Sequence, residues 1–500
     1  MNTKSMIRTT LLFLFTMTLT QAQSLGIFEN SQDVGQVKHP GSTHYDASSQ
    51  SYTLTGSGTN IWGTQDEFQY VWKSIQGDFI LRAQMEFVGE GVDPHRKIGW
   101  AIRNSFHTGS PMAVGTVHGD GLTSLQYRKK ANGEVTETKS TATAPDIIQL
   151  ERRGNTYIMS TAKFGEAFTT VSTELDLRNE VFVGLFICAH NPEVTEKAIF
   201  KNVRIVKPAP EDLQPYRDYL GSRLEIMDVA TGERKILTTS EHSIQAPNWT
   251  PDGKTLIYNS NGLLYNYDLE TGKITMLNSG FANRNNNDHV LNAKGTKIAI
   301  SHHNDDDNGD SAIYYLPITG SDSPIKVTKT GVGASYLHGW SPDEKKMLFT
   351  GNRKGQYDIY ELDVASGKEK QLTNTKTLDD GSEYSPDGKY IYFNSNRTGT
   401  MQAWRMKADG SEQTQLTFDE LNDWFPHVSP DEKKIVLISF PKEVPSGDHP
   451  FYKHCVLRIM PLAGGTPKII AHVYGGQGTI NVPSWSPDSK YIAFVTNSGE

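Results

Sequence analysis

Only two cysteines occur in the 500 residues, Cys188 and Cys455, and they fall in different parts of the chain. That excludes a disulfide scaffold and a cysteine-based metal site, and both thiols are expected to be buried or inert. Positive charge is not in surplus: 49 Lys and Arg stand against 57 Asp and Glu, a formal net charge of −8. Nucleic acid, which demands a basic footprint, is not an expected partner. No stretch approaches the roughly 18 apolar residues of a membrane-spanning helix, so no transmembrane segment is expected. The short run 11–19 follows Lys4 and Arg8 and precedes Thr20-Gln21-Ala22, a small-x-small cleavage site. Residues 1–22 therefore read as a signal peptide. No cysteine follows that site to take a lipid, so a periplasmic protein is expected, with secretion as the other destination. His-Glu-x-x-His is absent, which removes a zincin site.

What the chain has in plenty is one phrase. A Ser-Pro-Asp-Gly-Lys turn or near copy precedes an apolar-alternating run, with its first residue at Thr250, Asn292, Ser341, Ser385, Ser429 and Ser486. Successive copies are 42 to 57 residues apart, the period of a repeat architecture. Proline sets φ for a tight turn, and Asp-Gly tolerates its left-handed position. The alternation after it, as in Tyr390-Ile391-Tyr392-Phe393, has the period of a strand. A second phrase, such as YDIYELDVASGKEKQLT from Tyr357, follows five of the turns. A sixth copy, from Ser222, precedes the first turn, while the last turn phrase has no partner after it. The orphans complement each other. Four strands per blade and six blades then make a propeller, its last blade closed by strands from both ends of the repeat region.

These phrases resemble the TolB-type six-bladed propeller family over residues 222–500, most fully at Ser385–Lys389. The resemblance implies a periplasmic protein of the kind common in carbohydrate-degrading bacteria. TolB carries an α/β domain ahead of its propeller, and this chain has something else there. Serine peptidases with similar propellers need an α/β-hydrolase domain with G-x-S-x-G, and no such domain is expected here.

Residues 23–207 read as strands with little helix: 79–87, 97–103, 157–160, 181–187 and 198–205. Many short strands with Gly and Asn turns predict a two-sheet sandwich. The phrases IIQLERRGNTYIMSTAKFGEAFTTV and VFVGLFICAHNPEVTEKAIFKNVRIV are similar to the concanavalin-like jelly-roll domains found with carbohydrate-active proteins. The fold class is thus all-β, a sandwich followed by a propeller. Residues 208–221, with Pro208, Pro210 and Pro215, form a linker expected to be stiff and extended.

Propellers bind ligands at the mouths of the central channel, and the innermost strand precedes each turn phrase. The residue just before the turn is bulky and apolar (Trp249, Leu291, Trp340, Tyr384, Val428, Trp485), which predicts core between blades. The two positions before it bring His289, His338, His427 and Glu383, and nearby loops add Arg284, Asp288, Asp380 and Asp423. Converging imidazoles and carboxylates can bind a divalent metal or act as acid and base, and in a wet channel they can equally be solvated. His289, His338 and His427 are the metal candidates, with Mn, Zn or Ca as the ion. The acidic turn 302–310 fits the start of a calcium loop but has Tyr315 where the twelfth-place Glu belongs, so a solvated turn is favoured. The long hairpin 440–454 is a candidate binding loop.

The expectation is a non-enzymatic exported binding protein, recognising a glycan or oligosaccharide, a periplasmic protein, or both. The alternative is a polysaccharide lyase or hydrolase acting on acidic oligosaccharides. Oligogalacturonate lyases use channel histidines with a divalent metal. In this alternative one of His289, His338 and His427 would be the base and Arg284 would neutralise the uronate, with no residue role carried over from those lyases.

Overall fold

The computed structural model describes residues 24–214 and 217–499, so the signal-peptide reading of residues 1–22, and Pro215 of the linker, lie outside the described residues. The chain is all-β; among the described residues the one helical turn is a 3-10 turn at Asp305–Asp307.

Two seven-stranded sheets occupy the N-terminal part. Strands expected from alternation are found at Phe79–Val88, Lys97–Arg103, Thr156–Ala162, Glu180–Cys188 and Glu196–Val206. Trp100, Ile102 and Leu185 from one sheet share a buried cluster with Leu81, Leu150 and Phe200 from the other. Period-2 alternation places these residues on the facing sides of the two sheets. Both cysteines are buried free thiols.

Six sheets follow. Five have four strands each; the first, for instance, runs Gln245–Trp249, Thr255–Ser260, Leu263–Asp268 and Ile274–Leu277. The sixth pairs Gly221–Asp228 with Tyr491–Ser498 in antiparallel register, Gly221 opposite Ser498 and Asp228 opposite Tyr491. Arg234–Ser240 completes this three-stranded sheet. Its innermost segment makes only an isolated bridge, Trp485 to Ile492, where four full strands were expected. Gly476 and Gly478 offer no side chain to pack there, and Pro483 cannot donate to a ladder.

The turn phrase works as its chemistry predicts. Ser385 Oγ donates to Asp387 Oδ1 (2.7 Å) and accepts from the Tyr390 amide (3.0 Å), while the Gly388 amide closes onto the Ser385 carbonyl (2.8 Å). Gly388 takes the left-handed conformation, φ 71°. The bulky row before the turns is core. Leu291, Trp340, Tyr384, Val428 and Trp485 are buried in five separate clusters, each mixing residues of adjacent sheets, and Trp249 packs against a sixth.

The linker is pinned rather than extended. Its polar groups form turns, with the Gln214 amide donating to Asp218 Oδ2 (3.0 Å). The Ala209 amide bonds to the Tyr474 hydroxyl and the Leu220 amide to that of Tyr452, each at 2.9 Å. Ile80, Val206, Leu220, Phe451, Tyr452 and Tyr474 bury together, joining the N-terminal sheets to the fifth blade. A charged contact lies beside them. Glu225 is fully buried between Arg204 of the N-terminal part (2.7 Å) and Arg234 (2.9 Å).

Candidate ligand-binding cavity

A cavity of about 1090 Å³ opens at the end of the axis where the innermost strands begin. The residue five before each turn's first residue lines it in five sheets: Gln245, Asn287, Tyr336, Asp380 and Asn481. A break in pairing register accompanies this row in the first four sheets and recurs in the fifth. It falls between Gln245 and Asn248, Asn285 and His289, Leu337 and Gly339, Asp380 and Glu383, and Trp424 and His427. A bulge of this kind re-aims the side chains upstream of it. In three sheets it carries a left-handed residue four before the turn: Ala246 (φ 53°), Gly381 (φ 63°) and Phe425 (φ 53°). At Gly381 an added Cβ would lie 2.4 Å from Asn394 Oδ1 and 2.8 Å from the Phe425 ring, so the position has no room for a side chain.

Of the residues picked out by sequence, Arg284, Asp288, His338 and Asp380 line the cavity. His338 is buried, and its Nε2 lies 3.0 Å from Asp380 Oδ1. Thr350 Oγ1 donates to the same carboxylate oxygen (2.5 Å). Burial opposes a charge on His338, but the carboxylates of Asp288 and Asp380 outweigh it and hold the imidazole pKa above its ordinary value. Burial likewise opposes ionisation of Asp380, yet its His338 partner brings it down to about 2. Asp288 is pushed up to about 6 by burial, with the Asp380 charge adding to the shift and His338 working against it. The floor thus sets the His338 imidazole beside two carboxyls of unequal acidity. Arg284 sits half exposed and pairs with Asp305 (2.6 Å).

The other four do not line it. His289 is fully buried, with Nε2 3.2 Å from the Ile257 carbonyl, and burial lowers its pKa to about 4. His427 bridges Glu383 (Nδ1 to Oε2, 2.5 Å) and the Ile480 carbonyl (Nε2, 2.8 Å). Asp423 is buried against Arg458 and Ser439. The three imidazoles do not gather, and among the described residues no three His, Cys, Asp or Glu side chains are grouped to hold a metal ion. In the acidic turn, Asp307 is taken up by Lys326 and the Gly331 amide.

Sequence reading missed most of the lining. The Asn-rich run supplies Asn283, Asn285, Asn286 and Asn287, and aromatic rings come from Tyr219, Tyr336, Tyr357, Phe425 and Phe451. The run of asparagines beside Asp288 was the available signal. The long hairpin of the fifth blade delivers His449, which stacks on Trp424 at 4.3 Å between ring centroids. The linker delivers Tyr219.

The TolB β-propeller domain family matches residues 307–446. A curated relative, uncharacterized protein Atu1656 of Agrobacterium fabrum, is 42% identical over 275 residues, 55% of this chain and 92% of the relative. The chain belongs to the TolB-like β-propeller family. A solved structure assigned provisionally as TolB, from Agrobacterium tumefaciens, is 41% identical and superposes with a TM-score of 0.53 over 56% of this chain and 99% of that one. TolB from Acinetobacter baumannii is 20% identical, with a TM-score of 0.39 over 51% of this chain and 64% of its own. In this TolB-like chain the strands that precede the propeller form the two seven-stranded sheets described above. Among the described residues no helix is long and apolar enough to cross a membrane.

Proposed function

We propose that this protein is an exported, non-enzymatic binding protein whose axial cavity holds a glycan. In this reading residues 23–207 are a concanavalin-like sandwich, residues 208–221 the linker, and residues 222–500 a propeller closed by strands from both ends of its repeat region. The location is the periplasm, in a setting of polysaccharide use or the cell envelope, and a protein partner is compatible with the same open mouth. The observation that carries the reading is the lining. Carboxamides, which both donate and accept, stand beside tyrosine rings in a cavity large enough for several sugar units. Aromatic faces and paired donor–acceptor groups are what a pyranose, apolar on one face and hydroxylated at its rim, requires. The lyase reading needs imidazoles with free nitrogens converging on one substrate. His427 instead spends both of its nitrogens on the Ile480 carbonyl and Glu383, and His289 is fully buried with Nε2 on the Ile257 carbonyl.

Glycan-array screening followed by calorimetric titration tests the proposal. Saturable binding that weakens when Tyr357 or Asn286 is replaced by alanine supports it. Steady release of unsaturated or reducing ends from any polysaccharide would overturn the non-enzymatic assignment.

A further inference from the structure

We infer that the glycan bound in the cavity carries a protonated amine, seated on the floor beside Asp288 and Asp380. The inference rests on the binding reading above and narrows it to amino sugars.

The floor presents acceptors without donors. Asp288 Oδ2 accepts from Asn286 Nδ2 (2.8 Å), and among the described residues Oδ1 receives no protein donor. Asp380 Oδ1 takes His338 Nε2, Thr350 Oγ1 and the Gly381 amide, while Oδ2 receives none among the described residues. A carboxylate oxygen can only accept, so whatever fills this space has to donate. A hydroxyl brings one donor; an ammonium brings three, and a charge with them. The charge matters because two carboxyls face a single imidazole in a largely buried setting, where an uncompensated charge is costly. An ammonium completes the balance, whereas a uronate would add a third carboxylate.

A second observation points to a ligand. His338 and Asn287 line the same cavity, both side chains are more than nine-tenths buried, and His338 Nδ1 and Asn287 Nδ2 have no hydrogen-bond partner. The cations of the lining sit elsewhere: Arg284 is paired to Asp305, and Lys376 is exposed. The amide and tyrosine belt above the floor favours a sugar over a lysine-rich peptide as the amine's carrier.

The test is calorimetric titration of the full chain with four probes: a glucosamine hexamer, its fully N-acetylated form, a galacturonate hexamer and trilysine. N-acetylation removes the charge from the ligand, so wild-type protein alone decides the point. The glucosamine hexamer is expected to bind about tenfold or more tighter than the N-acetylated one, the scale of one charge-assisted contact. Asp288→Asn is expected to erase that preference. Equal or better binding of the N-acetylated or galacturonate hexamer overturns the amine and leaves the glycan reading standing. Tighter binding of trilysine than of the amino sugar also overturns it, in favour of a peptide amine. Failure of every oligosaccharide to bind removes the glycan reading and this inference together.

Discussion

At the scale of single residues, backbone conformation and local charge do most of the work. Gly388 holds φ 71° in the turn, and an added Cβ would meet nothing closer than 3.5 Å, at Pro342. Gly388→Ala therefore creates no clash and exposes the left-handed cost alone, about 1 kcal/mol of stability in urea unfolding. An unchanged midpoint would show that the turn relaxes to another conformation. The Asp288 carboxyl makes a pH prediction. Its ordinary value of 3.8 is raised to about 6, burial being the main cause. A raised carboxyl contributes stability below its unfolded pKa and loses it as pH climbs through the folded one. The window runs from about 4 to 6, with at most about 3 kcal/mol at stake. Asp380, brought down to about 2, titrates below that window. Asp288→Asn should accordingly gain melting temperature relative to wild type between pH 4.5 and 6.5. Parallel melting curves across that range would refute the assignment.

At the scale of elements, each inner strand serves two ends. Below its bulge the apolar residue before the turn locks one sheet to the next; above it, the re-aimed residue faces the cavity. Trp340 shows the first role. It is buried with Val290 and Ile313 of the preceding sheet, and its Nε1 donates to the Glu344 carbonyl (3.1 Å). Trp340→Ala should cost about 3–5 kcal/mol, read as a lower chemical-denaturation midpoint. Trp424 shows how an element reaches the cavity indirectly. It is fully buried and is the platform on which His449 stacks. The hairpin carrying His449 also gives Phe451 and Tyr452 to the cluster shared with the N-terminal sheets. One insertion thus joins the cavity wall to the contact between the two parts of the chain.

At the scale of the whole molecule, that contact decides how the two parts stand. Glu225 lies in the seam sheet, paired on one side with Arg234 and on the other with Arg204 across the boundary. Burial opposes its charge, but the two guanidinium groups hold its pKa well below the usual carboxylate range. A lowered carboxyl contributes stability above its unfolded pKa, 4.5 here, and loses it as pH falls further. Glu225→Gln leaves two buried cations short of a partner and should cost about 3–5 kcal/mol at pH 7. The loss should shrink in acid, and scattering should report a more extended particle. The wild-type scattering profile in the variant would mean that the apolar cluster around Tyr452 alone fixes the arrangement.

Turn residues and strand alternation are local chemistry, and the sequence by itself was sufficient for what depends on them. It located the turn phrases, the apolar row between blades, the strands of the N-terminal part and the all-β class. Four cavity residues, Arg284, Asp288, His338 and Asp380, were also legible, because each lies on or beside an inner strand. The tertiary structure decided the rest. Counting back from the turn fails past a bulge, because one extra residue moves every upstream side chain to the other face. The row five before the turn lies at or upstream of that break and lines the cavity, while His289 and His427, on the turn side of it, bond to backbone carbonyls of neighbouring sheets. The Glu225 pairing, the Tyr219 wall and the His449 platform join residues far apart in the chain, and no spacing rule encodes such contacts.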